Sequence, residues 1–136
     1  MDNLLNKEPV KRAQECLKKF DENKKIKVLE EAAKSAKDAS KALKCEVGAI
    51  VKSLLFRAGD GFILCLVSGD KKCSLNKLKK ITQKNDLCMA SPEQVKTQTG
   101  YTIGGVSPVG LINRIEIFMD NSLERFKKLY AAAGHP

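Results

Sequence analysis

Hydrophobic positions change their period along this chain, and the changes outline alternating helices and strands. In PVKRAQECLKKF, residues 9–20, Val10, Ala13, Leu17 and Phe20 recur at three- and four-residue steps, and Pro9 suits a first helical turn, so the stretch reads as an amphipathic helix. KIKVL, 25–29, is a short edge-strand candidate. EEAAKSAKDASKALK, 30–44, places Ala32, Ala33, Ala36, Ala39 and Leu43 on one face of a second helix. The period then changes: AIVKSLLF, 49–56, and GFILCLVS, 61–68, are β-rich runs separated by the turn-like RAGD. Both are apolar on both faces, as strands are when covered on each side, and they should pair as a central hairpin.

SLNKLKKIT, 74–82, has Ser74 as a helix cap and a stripe of Leu75, Leu78 and Ile81. LCMAS, 87–91, reads as a strand. In SPEQVKTQTG, 91–100, a serine cap, a proline at the first helical position, an early glutamate and a closing glycine specify a short helix at both ends. A glycine-rich loop follows, then RIEIFMD, 114–120, as a strand with Ile115 and Ile117 on one face, a helical turn around NSLERF, and KLYAAAG. There is no internal repeat and no linker. Strands and helices mixed with hairpins argue against a purely parallel, doubly wound sheet.

Composition bounds the function without choosing it. A chain of 136 residues with 43% hydrophobic positions buries roughly two-thirds of its unfolded surface, enough for one domain with a real core. No apolar run approaches the roughly 20 residues of a membrane span, and MDNLLNKEPVKR lacks the apolar stretch of a secretory signal, so a cytoplasmic protein with no membrane partner is expected. Cys16, Cys45, Cys65, Cys73 and Cys88 form no CxxC pair, and the one histidine is His135. The cysteines therefore read mostly as buried free thiols, with neither a metal nor a cofactor expected. The formal charge of +9, from 25 basic and 16 acidic residues, favours polyanionic partners, but lysines such as Lys34, Lys37, Lys41 and Lys44 also fit a solvated helix face.

Two places break the rules of an ordinary core. Strand alternation sets Lys52 on the face of Ile50, Leu54 and Phe56, inside a strand that looks buried on both sides. Desolvating an ammonium is expensive, so Lys52 should open onto a cleft floor or meet a carboxylate, phosphate or carbonyl; a lysine snorkelling from a strand end is the plain alternative. The second place is YTIGGVSPVG, 101–110. Gly104 and Gly105 allow torsions closed to other residues and let a ligand reach bare peptide N–H groups, while Pro108 fixes the exit. The spacing matches neither GxxxxGK[ST] nor GxGxxG, and a tight turn is the plain alternative here. There is no Ser/His/Asp set, no Cys/His pair with an orienting group, and no metal cluster.

Together these features carry a resemblance. CEVGAIVKSLLF at 45–56, GFILCLVSGDKKCSLNKLKK at 61–80 and ASPEQVKTQTGYTIGGVSPVGL at 90–111, with a looser match of the two N-terminal helical stretches, resemble the YbaK/EbsC-type aminoacyl-tRNA deacylases. These are free-standing relatives of the editing domain of bacterial prolyl-tRNA synthetases. A strand-borne Lys-Ser pair, an SGD turn, a V-x-x-x-T-G-Y/F helix end and a GxxxP loop stand at family-like spacings across nearly the whole chain. The expected fold is α/β: a mixed, mainly antiparallel, barrel-like central sheet flanked by helices, in a single domain over 1–136. Two departures stand out. Lys44 takes the place of a glycine that usually ends the alanine-rich helix, and family members generally continue past a stretch like AAAGHP into a last strand and a short terminal helix, so the expectation for a sequence ending at Pro136 is either a truncation or a domain without that C-terminal strand.

The resemblance implies a hydrolase that removes a wrong small amino acid from transfer RNA, typically proline-specific transfer RNA, using water assisted by a hydroxyl of the terminal adenosine. It implies that Lys52, Gly104 and Gly105 carry catalysis, and that Ser53, Ser68, Gly69, Val106, Ser107, Pro108 and His135 line the substrate. Lys71, Lys72, Lys77, Lys79 and Lys80 would meet the transfer-RNA backbone. Aminoacylated transfer RNA is the expected partner, with prolyl-tRNA synthetase or the elongation machinery beside it, and the protein is expected to be a monomer. A non-catalytic transfer-RNA- or synthetase-binding module of the same fold is the main rival, and a general basic nucleic-acid-binding domain the other, with few aromatics outside core-like positions to stack bases.

Overall fold

A computed structural model of the chain describes residues 5–21, 26 and 35–135. Helix α1, Glu8–Phe20, opens with Pro9 and buries Val10 and Ala13. The strand candidate at 25–29 lies outside the described residues apart from Ile26, whose amide donates to Gln14 Oε1 at 2.9 Å. Of the second helix, residues 30–34, with Ala32 and Ala33, lie outside the described residues. The described helix, α2, is Ala36–Leu43 and is capped by Ser35, whose hydroxyl accepts from the Asp38 amide. A 3-10 turn, Val47–Ala49, then leads into β1, Ile50–Ala58, which turns back into β2, Gly61–Ser68.

The hairpin is antiparallel, with register from Val51 opposite Ser68 to Ala58 opposite Gly61. Its two faces each feed a core. Val51, Leu55, Leu64 and Leu66 pack with Ala13, Val95, Tyr101, Val106 and Leu123, while Phe56, Ile63, Cys65 and Val67 pack with Leu78 and Leu87. This two-sided burial explains why the strands read as continuous apolar runs. Helix α3, Leu75–Thr82, lays Leu78 on the second face and is capped by Ser74. Strand β3, Leu87–Met89, pairs antiparallel with the far end of β1. Helix α4, Pro92–Thr99, has reciprocal Ser91 and Gln94 caps and stops at Gly100. Strand β4, Glu116–Met119, runs parallel to β2, a 3-10 turn spans Asn121–Arg125, and β5, Tyr130–Ala131, runs parallel to the near end of β1.

The architecture is thus mixed α/β, with four helices and a five-stranded mixed sheet among the described residues. The barrel-like expectation needs correcting. The order is β3-β1-β2-β4, with β5 also on β1, so β3 and β5 share one edge and β4 forms the other; among the described residues these edges do not pair, and the sheet is open rather than a closed barrel. The face assignment in RIEIFMD also changes. Ile115 precedes the strand and packs on the first core, whereas Ile117 is 44% exposed and Phe118 is the residue of β4 that packs on the second. All five cysteines are free, but only Cys65 is buried, and burial pushes its thiol up to about 12; Cys88 is exposed. No helix among the described residues is long and apolar enough to cross a membrane.

Leu64 is fully buried in the first core and Ile81 is 64% exposed on α3. Leu64→Ala should therefore lower the free energy of unfolding by about 2–5 kcal/mol, while Ile81→Ala stays within about 0.5 kcal/mol of wild type. Urea melts of the two variants, compared by midpoint at a common slope, measure the difference.

Candidate active site

The glycine-rich loop is held at both ends by one side chain. From α1, Arg12 donates through Nη2 to the Gly100 carbonyl at 2.9 Å and through Nε to the Gly110 carbonyl at 2.7 Å, and its guanidinium lies 4.5 Å from the Tyr101 ring centroid. Glu8, one turn earlier, pairs with its outer edge. Tyr101 is fully buried and donates its hydroxyl to the Val109 carbonyl at 2.8 Å. A planar cation with several fixed donors can satisfy two carbonyls and a carboxylate at once, which a lysine at this position could not do.

Between these anchors the backbone turns at Gly104, which is exposed and has φ +85, a torsion that a side chain disfavours. Gly105 is buried; its amide donates to the Thr102 carbonyl and its carbonyl accepts from the Gly134 amide, each at 2.9 Å. Val106 and Ser107 are buried too, and among the described residues their amides meet no hydrogen-bond acceptor. Ser107 Oγ instead accepts from the Val109 amide at 3.1 Å, just past Pro108. Two adjacent N–H groups of buried residues with no acceptor are unusual, since such groups are nearly always paired. They form a donor pair suited to an oxyanion or a phosphate oxygen.

The second part of the site is the end of the hairpin where β1 begins and β2 finishes. Lys52 is half-buried, and its Nζ donates to the Lys71 carbonyl, one of the partners expected from its place in the strand. Its side chain belongs to the Leu54 and Phe56 face. Ser53 takes the other face, that of Val51 and Leu55, which packs with Val106 and Tyr101. Among the described residues, Ser53 Oγ is the buried side-chain oxygen without a hydrogen-bond partner. Pleating thus turns Ser53, rather than Lys52, toward the face on which the loop packs.

Ser68 is fully buried at the end of β2, and Gly69 follows because nothing larger fits: a Cβ there would lie 2.3 Å from the Val47 carbonyl oxygen. Arg125 organises this turn. Its Nη2 donates to Ser68 Oγ at 2.9 Å and Asp70 Oδ1 at 2.8 Å, its Nη1 to Asp70 Oδ2 at 3.1 Å, and its Nε to the Ser122 carbonyl at 2.7 Å. Hydrogen bonds from Arg125 and then Ser68 hold the Asp70 carboxyl at about 2. Sequence reasoning missed both arginines. Apart from Glu8 and Ser122, their partners lie 55 to 98 positions away, and no local spacing announces a contact of that range.

The two parts are joined through β5. Tyr130 and Ala131 pair with Ile50 and Val51, and three residues later Gly134 bonds the loop at Gly105, which leaves the exposed His135 beside the loop. Lys52, Ser68, Gly69, Lys71 and Lys72 therefore gather at one end of the hairpin, with the loop tied to that end. The α3 lysines are not gathered with it: Lys77, Lys79 and Lys80 sit on the helix covering the sheet face opposite Val106. A cavity of about 470 Å³ is bordered by neither the loop nor Lys52; it lies between Lys44, Cys45 and Glu46 on one side and Phe126, Lys127, Lys128 and Tyr130 on the other. Among the described residues no cluster of three His, Cys, Asp or Glu side chains could hold a metal ion.

A glycine loop with two acceptor-free amides, tied to a hairpin end that carries a lysine on its other face, can hold an acyl or phosphate oxygen. The family described as aminoacyl-tRNA editing domain matches residues 30–136, and this chain belongs to that family. It is 38% identical over 106 residues to the uncharacterized protein YwhH of Bacillus subtilis, covering 77% of this chain and 67% of YwhH. It is 34% identical over 125 residues to the proline–tRNA ligase of Caldicellulosiruptor saccharolyticus, covering 88% of this chain but only 22% of that ligase. A crystal structure of a candidate trans-editing enzyme for prolyl tRNA synthetase superposes with a TM-score of 0.89 at 35% identity, over 96% of this chain and 83% of the other. That of the hypothetical protein APE2540 superposes at 0.80 with 27% identity, over 90% and 82%.

Asp70 has a lowered pKa, so the stability it contributes is complete above its unfolded value of about 3.9 and disappears as pH falls through about 2. The melting temperature of Asp70→Asn should therefore lie below that of wild type at pH 5 and converge on it between about pH 4 and pH 2. Thermal melts across that range check the sign; a gap that widens toward acid would contradict the Arg125 pairing.

Proposed function

We propose that this chain hydrolyses the ester between an amino acid and the 3′ end of a mischarged transfer RNA, with a proline-specific transfer RNA carrying a wrong small amino acid as the substrate. The observation that carries the reading is the pair of acceptor-free amides at Val106 and Ser107. They lie in a loop that Arg12 and Tyr101 fix at both ends, within a chain of the editing-domain family. An oxyanion forms on the ester carbonyl as water attacks, and donors already in place stabilise it without reorganisation.

In this reading Gly104 and Gly105 keep the loop thin enough for the terminal ribose and the carbonyl to reach those amides, and Pro108 fixes the exit. Lys52, held by the Lys71 carbonyl with further ammonium protons available, anchors the terminal phosphate or the acyl group from the strand end. The unpaired Ser53 hydroxyl faces the side of the loop and meets the substrate there, while Ser68 and Gly69 shape the turn and His135 borders the pocket. Lys71 and Lys72, both exposed at that end, contact the acceptor-stem backbone, with Lys77, Lys79 and Lys80 on α3 as its outer contacts. The attacking nucleophile is water, assisted by a ribose hydroxyl of the terminal adenosine. One methylene changes binding by only about 1–3 kcal/mol, so pocket size sorts the amino acids.

The test is deacylation of a panel of mischarged transfer RNAs. Lys52→Ala should lower single-turnover hydrolysis at least tenfold, about 1.4 kcal/mol of transition-state stabilisation, while the thermal midpoint stays near that of wild type. Gly104→Ala and Gly105→Ala, assayed well below their melting temperatures, should lose one to two orders of magnitude, roughly 1.4–2.7 kcal/mol. An unchanged ester lifetime with the wild-type protein across the panel would leave a binding module in place of an enzyme. Normal turnover in both folded glycine variants would make the loop an ordinary turn.

A further inference from the structure

Two of the five cysteines meet at the second core. Cys65 is buried on β2, on the same face as Ile63 and Val67, and Cys73 is half-buried just before the Ser74 cap of α3. They are eight positions apart, and the Cys73 thiol donates to the Cys65 sulfur at 3.6 Å. Among the described residues the other three cysteines make no sulfur–sulfur contact: Cys16 is on α1, Cys45 follows α2, and Cys88 on β3 meets Arg57. Burial, and then the hydrogen bond from Cys73, pushes the Cys65 thiol up to about 12, so Cys65 stays protonated and enclosed. Cys73 is the sulfur that a reagent in solvent can reach.

The helix that begins at this pair is loosely attached. Leu78 is the buried residue of α3, while Leu75 and Ile81 are exposed. The turn before it is pinned instead: Asp70 pairs with Arg125, the Lys71 amide donates to the Ser68 carbonyl at 3.0 Å, and the Lys71 carbonyl accepts from Lys52. Cys73 is therefore the joint between a fixed turn and a helix held to the sheet by one side chain.

We infer that Cys65 and Cys73 form a reversible disulfide when the protein meets a peroxide, and that this bond fastens the start of α3 to the sheet. Sulfurs already in contact need to close by about 1.5 Å to reach bonding distance, a shift that rotation of the half-buried Cys73 side chain can supply. The Cys73 thiolate attacks one oxygen of hydrogen peroxide. An S–O bond forms, the O–O bond breaks, and the departing hydroxide takes up the proton that the thiol released, leaving a sulfenic acid and water. The Cys65 sulfur then attacks the Cys73 sulfur: the S–S bond forms, the S–O bond breaks, and hydroxide leaves as water with the Cys65 proton. Two thiols together lose two electrons, and one peroxide is reduced to two waters. A dithiol reverses the reaction by exchange at the accessible Cys73 sulfur and is itself oxidised. The bridge adds a covalent tie beside the cap of α3, so the helix that carries Lys77, Lys79 and Lys80 is held more firmly in the oxidised protein. None of this depends on the proposed hydrolytic function.

The experiment treats the full reduced chain with stoichiometric hydrogen peroxide, blocks the remaining thiols and maps a tryptic digest by mass spectrometry. Cleavage after Lys71 and Lys72 separates the two cysteines, so a Cys65–Cys73 bridge joins two peptides that part on reduction. Oxidation should raise the melting temperature by about 5–10 °C, and dithiothreitol should reverse the rise. Exchange of the Leu78 amide, which donates to the Ser74 carbonyl at 3.1 Å, should slow about tenfold. Cys73→Ser should lose all of these effects, and Cys88→Ser should keep them. Cys65→Ala, which puts no hydroxyl into the core, should leave Cys73 as a sulfenic acid that dimedone traps. The inference falls if the peptides joined contain other cysteines, or if Cys65 and Cys73 stay unlinked while peroxide oxidises the exposed Cys88. It falls equally if the bridged protein melts and exchanges as the reduced protein does.

Discussion

The antiparallel pairing of β1 with β2 is the constraint on which the rest depends. Among the described residues every other strand attaches to one of these two, and each face of the hairpin supplies half of one core. Because side chains alternate with a period of two, a slip of one residue would move Leu55 and Leu64 into the layer of Phe56 and Ile63 and leave neither helix layer its partners. The same register fixes the chemistry. With Val51 opposite Ser68, Lys52 and Ser53 fall at the end where β2 turns through Gly69, and Lys52 reaches the Lys71 carbonyl.

On this frame two arginines do similar work at different ends of the sequence. Arg12 spans the carbonyls of Gly100 and Gly110 and so closes the base of the glycine loop, while Arg125 spans Ser68, Asp70 and the Ser122 carbonyl and so sets the turn after β2. In both cases a rigid fork binds backbone or carboxylate oxygens brought together from distant segments. The loop keeps the amides of Val106 and Ser107 free because its other polar groups are already bonded within the fold: Gly105 on both sides, Ser107 Oγ to Val109, and Tyr101 to Val109. Preorganisation of this kind separates a donor pair that can act on a ligand from a loop that must first be ordered.

The hairpin, the capped helices α3 and α4, and the first helix were legible because each has a local cause: a two-sided apolar run, a Ser or Ser-Pro cap, a repeat of three and four residues. Lys52 and the glycines at 104 and 105 were legible for the opposite reason, as residues that do not suit an ordinary core. Openness of the sheet was not legible, since whether β4 meets β3 or β5 is a matter of long-range geometry rather than of any strand's own pattern. Ile117 misled for a related reason: alternation says which residues share a face but not which face is covered, and on β4 it is Phe118 that turns inward.

What the sequence determined by itself, then, is the central hairpin, the helices α1, α3 and α4, the family they resemble and the residues out of place within them. Tertiary structure alone decided that Ser53 rather than Lys52 turns to the side of the loop, that Arg12 and Arg125 pin the site, and that Cys65 and Cys73 meet sulfur to sulfur. The division has a physical reason. Caps, periods and turns are set by neighbours within a few residues, where the backbone carries the information. A guanidinium on a carbonyl nearly a hundred residues away exists only once the packed sheet has brought those segments together.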